Sequence, residues 1–302
     1  MNKRQTFRVP LPPVFSFKEC TWFLNRNYDD CLHVITGNSI MKALALPGKT
    51  VLLQIRSDND ALIIDLLEGV ITETEQEQIK AYIIDWLDLD RDIAPFYRLL
   101  SKEKKLADMA IAYEGLRLTG IPDLFEALCW SIIGQQINLT FAYKLKRRLT
   151  ERFGTAVLHK GTPYYIFPYF DVLAKAEQAE LREMQYSQRK AEYLTGLAQV
   201  FAQGAISKEQ LAAMPFAAQQ QALTALRGIG IWTANYGLMK SLRVTEAIPY
   251  GDVGLLQALV NFGLIKDRKD QAGIDKLFRK FKGWESYLVF YLWRSLAEPE
   301  KE

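Results

Sequence analysis

Apolar and polar positions change period once along this chain, from strand-like to helical. Leu32–Thr36, Ile40–Leu46, Thr50–Ser57 and Ala61–Leu67 are short apolar runs separated by Gly37-Asn38, Pro47-Gly48 and Ser57-Asp58-Asn59-Asp60. Turn-forming residues between such runs predict antiparallel strands. Leu53 and Ile55 alternate with Gln54 and Arg56, which predicts a sheet with one wet face. At Thr72 or Thr74 the period lengthens. Ile79, Tyr82, Ile83 and Trp86 then share one stripe of a helix that runs to about Leu87. The acidic stretch Asp88–Asp92 reads as a boundary.

From Ile93 onward the pattern is helical. Asp123 and Glu126 form a capping pair for a helix striped with Leu124, Leu128, Cys129 and Ile132. Phe141–Phe153 predicts a second helix, and helical patterns follow at Asp171–Met184, Gln188–Gln203, Lys208–Met214 and Phe216–Leu226. Two more lie near Gly254–Phe262 and Glu285–Ala297. The expected fold class is α+β, with an antiparallel-sheet domain over residues 1–90 and a mostly helical region over 91–302. A length of 302 residues suits two domains, because single cores stop growing near ~250–300 residues.

Composition narrows the function classes. With 49% hydrophobic and 24% charged residues the chain is an ordinary globular one. Lys and Arg number 38 against 35 acids, a net charge of +3, which excludes a polycationic coat but not local basic patches. The charge is uneven: residues 1–120 hold 15 basic and 17 acidic side chains, residues 121–302 hold 23 and 18. A polyanionic partner would favour the helical part. The basic stretch Lys144–Arg152, taken alone, reads first as a solvated helix face. Cys20, Cys31 and Cys129 are scattered, with no disulfide framework, zinc or iron–sulfur spacing. His33 and His159 are the two histidines, and neither has a metal-ligating neighbour in sequence. The first residues lack the apolar core of a signal peptide and no apolar run reaches a membrane span, so a cytoplasmic setting is expected.

Three stretches carry candidate chemistry. In Leu226-Arg-Gly-Ile-Gly-Ile-Trp-Thr-Ala-Asn-Tyr236 a helix ends and another begins across Gly228 and Gly230. Such a Gly-x-Gly is either a tight turn or a cradle whose amides and helix start hold a phosphate. In Pro249-Tyr-Gly-Asp252 a carboxylate opens a predicted helix, as an N-cap, as a catalytic group, or as both. In Leu128-Cys-Trp-Ser-Ile-Ile-Gly-Gln-Gln136 paired amides close an apolar helix, either to probe a duplex or to satisfy the turn.

In this order the stretches resemble the helix–hairpin–helix superfamily of DNA glycosylases, and within it the 3-methyladenine DNA glycosylase II family. Phe125–Gln136, Phe167-Pro-Tyr-Phe170, Arg189-Lys-Ala-Glu192, Leu226–Tyr236, Pro249–Asp252 and Trp284–Trp293 carry the likeness, from about residue 115 to the end. The N-terminal module suits that family's extra sheet domain. The resemblance implies two helical subdomains with an active-site cleft between them, and excision of alkylated purines from duplex DNA by base flipping. It implies Asp252 as the catalytic carboxylate, and Trp232, Tyr236 and Trp284 as a base pocket. Core packing is the competing role for each of these rings. Gln135, Gln136, Gly228, Gly230 and Thr233 are implied as DNA contacts, with Gln136 at a wedge position that is apolar in one branch. The carbonyls of Thr224, Leu226 and Ile229 are implied as holders of a monovalent cation, Na+ or K+, with no other cofactor required. Glycosylase/lyases of the superfamily have a lysine two residues after the second hairpin glycine. Trp232 stands there, which implies a monofunctional enzyme without lyase activity; a monomer is expected. A relative acting on oxidised purines and a non-catalytic DNA-binding protein are the alternatives.

Overall fold

The structure is a computed structural model that describes residues 5–26 and 28–297. Five antiparallel strands form the first sheet, in the order β1-β5-β4-β3-β2. They are β1 (Thr6–Pro10), β2 (Val34–Thr36), β3 (Ser39–Leu46), β4 (Lys49–Ser57) and β5 (Ala61–Glu68). Two helices, α1 (Phe17–Leu24) and α2 (Glu73–Leu87), accompany it. Thr72 caps α2 through a reciprocal bond with Glu75, which explains why the helix begins there. Phe17 and Cys20 of α1 join Ile79, Ile83 and Trp86 of α2 in a core with Val9, Leu53, Ile55, Leu62 and Ile64.

The helical part contains α3 (Ala94–Lys102), α4 (Met109–Ala112), α5 (Leu124–Gly134) and α6 (Leu139–Phe153). A hairpin of β6 (Thr155–His159) and β7 (Thr162–Ile166) follows. After it come α7 (Phe170–Leu173), α8 (Gln178–Glu183), α9 (Gln188–Ala202), α10 (Lys208–Ala212) and α11 (Phe216–Thr224). The chain ends with α12 (Ile231–Gly237), α13 (Val253–Asn261), α14 (Gln271–Lys280) and α15 (Glu285–Arg294). A second, larger core runs through this part, from Ile93 and Phe96 to Tyr291 and Leu292, and also takes in Cys31 and Leu32.

Several expectations are corrected here. The second face of the sheet is wet only in part: Arg56 is exposed, but Met41, Ala43 and Leu52 are buried under Val157, Tyr164 and Ile166 of the β6–β7 hairpin. That hairpin turns through Lys160 and Gly161, both at positive φ, a two-residue turn matched to strand twist. The expected helix over Asp171–Met184 is two short helices, because Glu177 and Glu180 form a new capping box and restart it. Asp123 caps α5 through two amides, while Glu126 binds Lys146 instead of closing a box. The acidic stretch after α2 is a junction. Asp88 is buried and receives Arg91 at 2.9 Å, Arg243 at 2.6 Å and the hydroxyl of Tyr287.

Candidate active site

The hairpin between α11 and α12 is built on Gly228, whose φ is +89°. A Cβ there would lie 2.4 Å from Cγ of Tyr193, so the ring of Tyr193 fixes this position as glycine. The N–H of Ile229 returns to the carbonyl of Leu226 at 3.1 Å and closes the turn. Gly230 is the N-cap of α12, offers no side-chain cap, and has open space where a Cβ would stand. The first amides of α12 therefore keep no capping partner beside the exposed side chain of Ile231. Gly228→Ala is expected to destabilise the fold by about 1–3 kcal/mol, through strain and overlap with Tyr193. Chemical denaturation would measure the loss.

Asp252 is the N-cap of α13, and its Oδ1 accepts the N–H of Leu255 at 2.7 Å. The same oxygen accepts from Trp293 Nε1 at 2.9 Å, and Oδ2 accepts from Trp232 Nε1 at 3.3 Å. Three neutral donors, one on each of three helices, thus hold one carboxylate. Trp232 stacks on Tyr236 at 5.5 Å, and Tyr236 lies 6.2 Å from Trp293. The carboxylate is half-buried at the edge of an aromatic wall. Nothing neutralises it: no cation pairs with Asp252 among the described residues. Such a group can stabilise developing positive charge and orient water.

The structure regroups the expected pocket. Trp232 and Tyr236 flank Asp252, but Trp284 lies 5.4 Å from Tyr287 and 5.9 Å from Phe96, in a different aromatic cluster. Trp293 takes its place beside the carboxylate. Sequence periodicity could not pick it out, because α15 is buried on nearly every side from Ser286 to Leu292.

The loop contacts are also redistributed. Gln136 is exposed with φ +57° at the tip after α5. Gln135 instead donates to the carbonyl of Gly228 at 3.0 Å and to Oγ1 of Thr233 at 3.1 Å. Thr233 is buried, so its side chain faces Gln135 and not an outer surface. The contacts of Lys240 lie elsewhere than on the carboxylate. It donates to the carbonyl of Thr119, lies over Phe23 and Phe290, and burial lowers its pKa well below that of a free lysine.

Behind Tyr236 the wall continues into the N-terminal part, a connection that sequence reading missed. A cavity of about 50 Å³ is bordered by Tyr236, Trp130, Tyr143, Arg26, Asp30 and Lys146, among others. Tyr28 stacks on Tyr143 at 4.9 Å, and Trp130 lies 4.5 Å from Tyr143. Burial raises the phenol of Tyr236 well above the ordinary tyrosine value. Lys146 binds Asp30 at 3.5 Å and Glu126 at 3.1 Å, tying the 28–32 loop to α5 and α6.

Residues 129–283 match the model of the HhH-GPD superfamily base excision DNA repair proteins, and residues 26–128 match that of the 8-oxoguanine DNA glycosylase N-terminal domain. The chain is 37% identical over 291 residues to a DNA-3-methyladenine glycosylase of Bacillus subtilis, covering 95% of this chain and 96% of that protein. It is 28% identical to DNA-3-methyladenine glycosylase 2 of Escherichia coli, over 62% and 63% of the two chains. Among solved structures, a 3-methyladenine DNA-glycosylase of Archaeoglobus fulgidus shares the fold with a TM-score of 0.83, at 24% identity over 95% and 97% of the chains. An 8-oxoguanine glycosylase/lyase of Clostridium acetobutylicum aligns with a TM-score of 0.75, at 20% identity over 93% and 91%.

Proposed function

Because the chain belongs to the HhH-GPD superfamily of base excision DNA repair proteins, we propose that it is a monofunctional DNA glycosylase that releases alkylated purines from duplex DNA. The observation that carries this reading is the uncompensated carboxylate of Asp252, set by two indole N–H groups at the edge of an aromatic wall. A base lesion flipped from the stack would lie against Trp232, Tyr236 and Trp293. Electron-rich ring faces favour a cationic base by roughly 0.5–2 kcal/mol each. Asp252 then stabilises the positive charge that grows on the sugar as the N-glycosidic bond breaks, and water completes the hydrolysis. A cationic purine leaves readily, so the reaction needs no strong general acid.

Trp232 supports simple hydrolysis over lyase chemistry. It stands at the position implied for a Schiff-base lysine, and the buried Lys240 faces Thr119. The amides at the start of α12 would hold a backbone phosphate, with Gln136 at the tip nearest the emptied stack. The carbonyls of Thr224, Leu226 and Ile229 belong to the same turn and are neutral oxygens. That donor set suits a monovalent cation, which would stiffen the turn from behind. We further propose that the enzyme acts as a monomer in the cytoplasm; among the described residues no helix is long and apolar enough to cross a membrane.

The test is a lesion panel on the purified protein. Methylated duplex should yield free 3-methyladenine and abasic sites that break only when alkali is added. Strand cleavage without alkali, or turnover confined to duplex with oxidised guanine, would overturn the proposal.

A further inference from the structure

The positive charge of the chain is concentrated in two segments outside the hairpin. Residues 98–105 and 263–282 together hold 11 basic and 4 acidic side chains, +7 against +3 for the whole chain, so the rest is net acidic. All 11 are exposed, and among the described residues only Lys280 makes an ion pair, with Glu103 at 2.6 Å. The basic stretch on α6 differs. Lys146 holds Asp30 and Glu126, Arg147 holds Asp29 and Glu151, and Arg152 holds Glu180, so that charge is neutralised within the protein. The two unpaired segments meet at a groove of about 200 Å³ between the residues after α3 and α14. Lys105, Lys276 and Lys280 line it, with Glu103 as its one carboxylate. Lys105 donates to the carbonyl of Gly263 and Glu103 tethers Lys280, so two of the three ammonium groups are fixed in place. Lys276 has no partner among the described residues. It shares a helix face with Arg279 and Lys280, three and four residues on, while Ile274 and Phe278 bury the other face of α14.

Unpaired cations crowded in this way repel one another, and folding gains nothing from them. A polyanion would remove that repulsion. An acidic protein face is the poorer fit, because protein interfaces are depleted in lysine and built on apolar anchors. Among the described residues, no large apolar side chain of either segment is exposed. Lysine ammonium groups act as point charges on phosphate oxygens and need no fixed plane. α13 joins the groove to the candidate site, since Asp252 opens the helix and Gly263 follows its end. A rise of ~1.5 Å per residue sets Asn261 roughly 14 Å from Asp252 along the axis, about four base-pair steps of duplex. We propose that this groove is a second DNA-backbone site, which holds phosphates of the substrate duplex outside the damaged pair, about four or more steps from Asp252. The inference rests on duplex DNA as the substrate and goes beyond the excision chemistry.

The experiment measures affinity of the full chain for a long undamaged duplex across a salt series. Lys276→Gln combined with Arg279→Gln should weaken binding by about 10-fold at low salt. It should also flatten the slope of log affinity against log salt by about 2, roughly one for each phosphate contact. Exposed substitutions of this kind cost little stability, so the variant folds. Arg152→Gln is the control and should leave the slope at wild type, because Glu180 holds that charge. Lys276→Cys, labelled with a photo-crosslinker, then maps the contact on a duplex with one central abasic analogue. Cys20, Cys31 and Cys129 are buried and should not take the label. Crosslinks should cluster about four or more nucleotides from the abasic position, with one protein per duplex. An unchanged slope in the double variant, or the same change in Arg152→Gln, would overturn the site and leave the patch to an acidic protein partner. Scattered crosslinks, or two duplexes per protein, would overturn its assignment to the substrate's own flank. A wild-type protein that binds duplex with the expected slopes but releases no base would overturn the proposed chemistry and leave the groove standing. Failure to bind duplex at all would overturn both.

Discussion

Asp252→Asn is expected to reduce base release by about three orders of magnitude while leaving duplex binding close to wild type and costing about 1–3 kcal/mol of stability. The separation follows from the two tasks of one side chain. As an N-cap, Asn is as good as Asp, so the bond to Leu255 and the start of α13 survive. The charge does not survive, and the charge is what a developing sugar cation would feel. With the amide oxygen kept at Leu255 and Trp293, the amide NH2 takes the place of Oδ2 and meets the indole N–H of Trp232, which is where the stability is lost. Rates from methylated duplex under single-turnover conditions, alongside anisotropy on an intact duplex, measure both parts. Undiminished turnover would remove Asp252 from its role and leave it a helix cap.

The second large effect is structural. Lys146→Met is expected to cost about 2–4 kcal/mol of stability at neutral pH, because it strands two half-buried carboxylates without the buried cation between them. Burial by itself would raise Asp30, yet Lys146, then His33, the amide of Leu32 and Lys42 hold it well below the ordinary aspartate value. Burial likewise opposes the charge on Lys146, and Asp30 and Glu126 override it, so its pKa is raised. A depressed carboxylate contributes stability above its unfolded value, near pH 4, and loses it as the pH falls toward the folded value. The gap between wild type and Lys146→Met should accordingly narrow on acidification below about pH 4. Urea melts of both proteins at neutral and acidic pH would show this. A gap that stays constant with pH would mean that packing of the Lys146 stem, not its charge, is lost.

Local signals carried much of this architecture. The strands from residue 32 to 67 were bounded by turn residues, and the capping box at Thr72 marked the start of α2. The order of Gly228, Gly230 and Asp252 exposed the glycine turn and the capping carboxylate, because backbone demands at helix starts leave residue-level traces. Other parts left none. Trp293 and Trp284 are both aromatic residues of one nearly all-buried helical segment, and only the packing of α15 on α13 decides which reaches Asp252. Thr233 has the sequence position of a surface contact, but the turn of α12 points it inward to Gln135. Arg26 and Tyr28 belong to a loop more than a hundred residues from Tyr143, and such long-range neighbours have no periodicity to betray them. The β6–β7 hairpin had a local signal in Lys160-Gly161, hidden beside a strongly basic helix.

Gln135 ties two segments that the proposed function assigns to DNA. Its amide fastens the loop after α5 to the carbonyl of Gly228 and to α12, while Gln136 projects next to it. The glycine turn and the exposed tip are therefore fastened to one another by side-chain bonds. Under the proposed function, with a phosphate on the turn and Gln136 against the stack, this tie would set the offset between the phosphate held and the base pair tested.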